Sequence, residues 1–367
     1  MFKHSAVKSL ALLTAALTAA LSLQQASLAC TGIRLTAKDG AVVTGRTLEF
    51  GVDLKSRVAI YPRGTAFSGS LSGGMKGVAF KSRYGIVGAD GLGLPAIIDG
   101  LNDQGLYAGI FFFPGYATFT PVTAENASHS LANYQYTLWI LANFATVAEV
   151  KAAFNTVSLA ATPVEALGGP APAHFRVVDR TGAAVVIEQL NGTLKLFDDP
   201  LGVITNSPSF DWHITNLGNY IGLSPDIRPS ITIDGQKISG FGQGSGFFGL
   251  PGDFTPPSRF VRAVAFEQTA VQPNTGADAV QQVFHILNNF DIPVGSVRDE
   301  VNGRRVDEWT TWMSVDDLQN LVFAYRTYSD QTLRSVDVRK ALASAGTSPR
   351  YVPMESNQVT PIANMTP

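Results

Sequence analysis

The chain has almost no cysteine: of 367 residues only Cys30 carries a thiol. No disulfide can form within it, so its fold must rest on packing and hydrogen bonds. Histidine is scarce as well. His4, His129, His174, His213 and His285 are scattered, with none of the paired spacing of a zinc site. They read as surface or core residues, and no metal or cofactor is expected. An excess of one charge is also missing. Twenty-seven Lys and Arg face 29 Asp and Glu, for a formal charge of −2. Without a basic stripe, nucleic acid is not an expected partner. Past the N-terminal segment no long apolar run appears, which argues against a spanning helix.

What is present starts at the N-terminus. Lys3, His4 and Lys8 precede an apolar stretch from Leu10 to Leu23, and Ser27 and Ala29 then flank Leu28. This is the small-x-small pattern of a cleaved secretory signal. The expected division is a signal peptide at 1–29, one domain at 30–350 and an extended tail at 351–367. A periplasmic or secreted product is expected, without a membrane anchor.

Cleavage after Ala29 would make Cys30 the first residue. Three readings of that cysteine compete. It is an incidental buried thiol, a lipidated anchor of an exported binding protein, or an N-terminal nucleophile. Lipidation favours an apolar residue three places earlier, where Ser27 stands. An N-terminal cysteine carries its own base. Its amine titrates near about 7.7–8.0 and its thiol near about 8.5.

The periodicities predict strands at Ile33 to Thr36 and Ala41 to Thr44, joined by the turn Lys38-Asp39-Gly40. Further strands are expected at Val58 to Tyr61, Gly77 to Phe80, Tyr84 to Val87 and Leu106 to Phe113. Leu131 to Phe144 reads as an amphipathic helix, and Val147 to Phe154 as another. His174 to Val178, Ala184 to Gln189 and Leu194 to Phe197 read as a meander. Helices are expected at Ser258 to Ala270 and Ala277 to Asn288. Strands at Trp309 to Val315, Leu321 to Tyr328 and Leu333 to Val338 follow. Strands and helices in separate runs favour a layered α+β domain, two antiparallel sheets between helices.

Four polar residues stand out. Arg46 and Glu49 follow the first hairpin closely and are spaced to pair, either as an ordinary surface ion pair or beside a reactive thiol and amine. Asn206 is a turn residue or an amide donor to an oxyanion. Arg259 sits in the first turn of a helix, against its dipole, so a carboxylate or other anion partner is expected. Gly240-Phe241-Gly242-Gln243-Gly244-Ser245-Gly246 lacks the features of a phosphate loop or nucleophile elbow. It reads as a turned loop beside a site.

Taken together, these blocks resemble the choloylglycine hydrolases, N-terminal-nucleophile enzymes that include penicillin V acylases and bile salt hydrolases. The matching blocks are Cys30-Thr31-Gly32, Gly45-Arg46-Thr47-Leu48-Glu49 and Asp99 to Leu106. Thr205 to His213, Gly249 to Phe260 and Phe284 to Leu287 complete them. The resemblance implies a four-layer αββα sandwich, with Cys30 as nucleophile and Arg46, Asn206 and Arg259 as further site residues. Glu49 stands where many members carry Asp. Phe112 falls at a position resembling Asn in bile salt hydrolases and Tyr in some penicillin V acylases, leaving its backbone N–H for an oxyanion. Arg46 and Arg259 are expected to depress the thiol pKa. The ring at Phe112, with Phe111 and Phe113 beside it, favours a flat aromatic acyl group and hence a penicillin V-type substrate. A conjugated bile salt and an N-acyl homoserine lactone are the alternatives. A segment from Leu217 to Ser239 resembles a subunit-linking extension, which implies a homotetramer.

Overall fold

The computed structural model describes residues 29–301, 303–355, 360 and 363–366. The expected signal peptide, apart from Ala29, lies outside the described residues. Strands β1 (Cys30–Thr36) and β2 (Val42–Phe50) form the expected hairpin. Then come β3 (Arg57–Tyr61), β4 (Ile86–Ala89), β5 (Asp99–Asn102) and β6 (Tyr107–Phe112). The meander is β7 (Ala173–Val178), β8 (Ala184–Leu190) and β9 (Thr193–Asp198). Near the C-terminus lie β10 (Val297–Val301), β11 (Arg304–Asp317), β12 (Val322–Thr327), β13 (Arg334–Asp337) and β14 (Arg350–Pro353).

Two antiparallel sheets result. One runs β1-β2-β11-β12-β13, with β10 also on β11, and the other runs β9-β8-β7-β6-β5-β4-β3-β14. The start of the expected tail is therefore a strand paired to β3. The helices are α1 (Tyr136–Asn143), α2 (Val147–Ala153), α3 (Phe210–Asn216), α4 (Pro256–Thr269), α5 (Gly276–Leu287) and α6 (Val338–Ala345). Helices α4 and α5 pack on the six-stranded sheet and α1 on the eight-stranded one, which makes the αββα sandwich.

Period-two alternation in the strands produces these layers. Val58, Ile60, Val87 and Val186 join the core between the sheets. Their neighbours Ala59, Tyr61, Ile86 and Ile187 join the core beneath α1 and α2. Strand β2 is buried at every position, because α5 covers one face and the second sheet the other.

Two elements differ from the sequence reading. Residues 130–132 are a short strand and 133–135 a 3-10 turn, so the helix begins only at Tyr136. It is not amphipathic: every residue from Tyr136 to Ala142 is buried, since sheet and loops enclose it. Helix α6 was not anticipated because Ser335-Val336-Asp337-Val338 alternates like a strand. Its N-cap decides otherwise, with Asp337 Oδ1 accepting the Lys340 N–H at 3.0 Å. Among the described residues no helix is long and apolar enough to cross a membrane.

Candidate active site

Cys30 opens β1, and strand register assembles the site around it. Cys30 lies opposite Leu48, and Gly32 opposite Arg46. Paired residues share a face of the sheet. Cys30 and Arg46 therefore both point toward the eight-stranded sheet, and Arg46 Nη2 donates to Cys30 Sγ at 2.8 Å. The guanidinium also donates to the carbonyl of Ile110 and lies 4.2 Å from the Phe111 ring centroid.

A second register brings in Asn206. Gly32 and Ile204 exchange backbone hydrogen bonds of 2.8 and 3.0 Å. Glycine permits this approach: a Cβ on Gly32 would lie 2.8 Å from Phe111 and 2.9 Å from Ile204. Two residues along each segment, Cys30 N donates to Asn206 Oδ1 at 2.7 Å. Asn206 Nδ2 donates to the Phe112 carbonyl at 2.8 Å. The Phe112 backbone N–H lies close enough to the Cys30 sulfur to lower the thiol pKa.

Arg259 reaches the same point from α4. Its Nη2 donates to Asn206 Oδ1 at 2.7 Å and its Nε to Phe254 O at 2.8 Å. Its Nη1 donates to Thr31 Oγ1 at 2.9 Å and to the Cys30 carbonyl. The anion expected for this arginine is Glu49, which acts on it without a direct hydrogen bond, while its hydrogen bonds go to amide, hydroxyl and carbonyl oxygens. They converge because the first turn of α4 abuts β1.

Arg46 and Glu49 do not pair. Three residues apart on a strand, they project to opposite faces. Glu49 faces the helix layer, where its Oε1 accepts from Thr310 Oγ1 at 3.0 Å. Its Oε2 has no hydrogen-bond partner among the described residues. Burial pushes the Glu49 carboxyl up to about 7, against the opposing pull of Arg259.

The thiol departs from expectation in the same direction. Burial raises it, Arg46 pulls it down, Glu49 raises it further, and Arg259 and the Phe112 N–H pull it down. The net shift is upward. At 3 % exposure the sulfur loses more hydration than the two arginines return.

Several supporting residues were not singled out from sequence. Beneath Arg46, Asp99 accepts from Tyr107 OH at 2.5 Å and Ser314 Oγ at 2.6 Å, placing a carboxyl near the buried guanidinium. Behind Asn206, His213 Nε2 lies 2.9 Å from Asn206 O, and His174 Nε2 lies 3.0 Å from Thr205 O. Burial lowers His213 to about 4, so it is neutral at physiological pH and donates from that nitrogen. Asp99 and His213 lay within the conspicuous blocks, but nothing in their spacing announced these contacts.

A cleft of about 710 Å³, open mouth included, leads to Cys30. Its walls are mainly aliphatic: Leu48, Leu54, Leu92, Leu94, Ile98, Ile110, Val164 and Leu167, with Phe50, Phe112 and Tyr134. Of the three consecutive phenylalanines only Phe112 lines it. Alternation turns Phe111 under Arg46 and stacks Phe113 on His174 at 4.4 Å. The glycine-rich run at 240–246 contributes nothing to the cleft and lies in a largely exposed excursion. Among the described residues no group of three or more His, Cys, Asp or Glu is placed to hold a metal.

An αββα sandwich with a thiol at the head of a strand, flanked by amide N–H donors, defines an amide hydrolase of the linear C–N type. The chain belongs to the choloylglycine hydrolase family of linear amide C–N hydrolases, whose family model matches residues 30–345. It is 32% identical over 313 residues to the bile salt hydrolase/transferase of Clostridium perfringens (strain 13 / Type A), covering 85% of this chain and 93% of that protein. It is 35% identical over 283 residues to the conjugated bile acid hydrolase of Lactobacillus gasseri, covering 77% and 87%. A mutant conjugated bile acid hydrolase from Clostridium perfringens has a similar structure, with a TM-score of 0.80 at 29% identity over 92% of this chain and all (100%) of that one. The penicillin V acylase from Agrobacterium tumefaciens shares the fold, with a TM-score of 0.72 at 21% identity over 90% and 93%.

Proposed function

We propose that the chain hydrolyses the amide bond of conjugated bile salts, with Cys30 as nucleophile. The observation that carries the substrate choice is the cleft wall. A broad aliphatic surface beside the thiol suits a fused alicyclic acyl group. The cluster of three rings that favoured phenoxyacetyl is reduced to Phe112 by strand alternation. The bile salt hydrolases among the relatives support the same choice.

In this reading, cleavage after Ala29 turns the Cys30 nitrogen into an amine. The amine takes the thiol proton, and the sulfur attacks the amide carbonyl. The Phe112 N–H and Asn206 Nδ2 stabilise the oxyanion. The amine then protonates the leaving nitrogen, and water hydrolyses the thioester to release the acid and regenerate the thiol. A thiol with a raised pKa needs such a base, since little thiolate exists in advance at neutral pH. Export rests on the N-terminal sequence pattern. In this reading the subunits of a homotetramer meet through the exposed hairpin of Ile231–Ile233 and Gln236–Ile238, whose three isoleucines are each about half exposed.

The test is hydrolysis of glycocholate, penicillin V and an N-acyl homoserine lactone by the secreted protein, with an intact mass of the product. A mass starting at unmodified Cys30 and the highest kcat/KM on glycocholate are expected. Preference for penicillin V would restore the aromatic acyl reading, and a lipidated Cys30 would sink the mechanism.

A further inference from the structure

A second buried carboxyl stands behind the site. On β11, Thr310 is paired with Glu49 of β2. Glu308 lies two residues before Thr310 and so projects from the same face. That makes it the diagonal neighbour of Glu49, a relationship that spans about 7–8 Å between backbones and less between long side chains. Glu308 is completely buried, and neither of its oxygens has a hydrogen-bond partner among the described residues. Glu49 Oε2 is in the same condition.

The charges facing this pair are few. Arg259 on α4 acts on both carboxyls, Asp299 on β10 faces Glu308, and Arg46 and the Cys30 thiol act on Glu49 from the other side. Arg259 already gives hydrogen bonds to Phe254, Thr31, Cys30 and Asn206. One committed guanidinium cannot balance two ionised carboxylates in a buried layer. Glu49 is also tied to the start of β1, since the neighbouring Leu48 is paired with Cys30.

We propose that Glu308 is a positioning residue: it is the protonated partner of Glu49, so the two carboxyls together present one negative charge to Arg259 and the start of β1. Burial first, and then Glu49, raise Glu308 to about 8. Above that pH the pair gains a second negative charge, which opposes formation of the Cys30 thiolate. The proposal rests on the nucleophile reading of Cys30.

The experiment is the pH dependence of kcat/KM on taurocholate, which has no group titrating between about pH 7 and 10, for wild type, Glu308→Gln and Glu308→Asp. The ratio of wild-type to Glu308→Gln kcat/KM should fall about tenfold between pH 7.5 and 9.5, the effect of about one pKa unit on the thiol; the titrations of the thiol itself and of the terminal amine are common to both proteins and cancel. The Glu308→Asp ratio to Glu308→Gln should fall in the same way. A wild-type to Glu308→Gln ratio that stays constant or increases across this range overturns the proposal. If Glu308→Gln does not fold, Glu308→Met serves as the non-ionising variant. Activity surviving in Cys30→Ser would instead sink the underlying mechanism, whatever the Glu308 profiles show.

Discussion

Cys30 and Asn206 are 176 positions apart, yet the backbone nitrogen of one donates to the side-chain oxygen of the other at 2.7 Å. A single antiparallel bridge between Gly32 and Ile204 sets this contact. Asn206 thereby joins three partners, the Cys30 nitrogen, Arg259 and the Phe112 carbonyl. Its position is fixed from both ends of the amide.

Asn206→Ala should therefore lower kcat on glycocholate by about 10²–10³, the usual effect of removing one oxyanion donor. KM should change much less, because Asn206 does not line the apolar cleft. Steady-state kinetics at saturating substrate checks the split. A change confined to KM would place Asn206 in ground-state binding.

Cys30→Ser should lose about 10³-fold or more in kcat while keeping the fold. Circular dichroism and thermal melting should match wild type, since a hydroxyl is close in size to the thiol. Retained hydrolysis would exclude the cysteine as nucleophile.

Arg46→Met should slow alkylation of Cys30 by iodoacetamide about tenfold or more at pH 7. The arginine is the largest influence holding the thiol pKa down, and it contacts the sulfur at 2.8 Å. The pH profile of the alkylation rate should move to higher pH. An unmoved profile would mean that Arg46 serves packing alone.

Stability should fall as pH rises from about 5 to 8.5. Burial raises Glu49 to about 7, and Glu267 and Glu308 to about 8, from an ordinary 4.5. A carboxyl with a raised native pKa binds its proton more tightly when folded. Its contribution is complete below the unfolded pKa and disappears as pH climbs through the native one. His213, lowered to about 4, acts oppositely and removes stability as pH falls from about 6.5 through 4. The melting temperature should thus peak in mildly acidic solution, and Glu267→Gln should flatten the alkaline slope. A melting temperature that increases toward pH 8.5 would contradict this assignment.

Much of the layering was legible because alternation is a local property. The hairpin around Lys38-Asp39-Gly40 and the meander from Ala173 onward appear as read. The choice of Cys30, Arg46, Asn206 and Arg259 as neighbours was legible through the resemblance, and the register brings them together. The pairing of Arg46 with Glu49 was misread by treating spacing without its period, since an interval of three on a strand separates the faces. The strand assignment at 333–338 ended one residue past β13, where α6 takes over under its Asp337 cap.

The single thiol, the strand and helix alternation, and the residue types available for amide hydrolysis are all written in the linear chain. These depend on composition and short-range pattern. Tertiary structure alone decided which face each side chain takes, how far burial outweighs the arginines at the thiol, and that Phe112 reaches the cleft without its two neighbours. It also brought Glu308, invisible in the linear pattern, diagonally beside Glu49. Those outcomes depend on register between distant strands and on the removal of water from the layers they enclose. Neither is a property of any short stretch of chain.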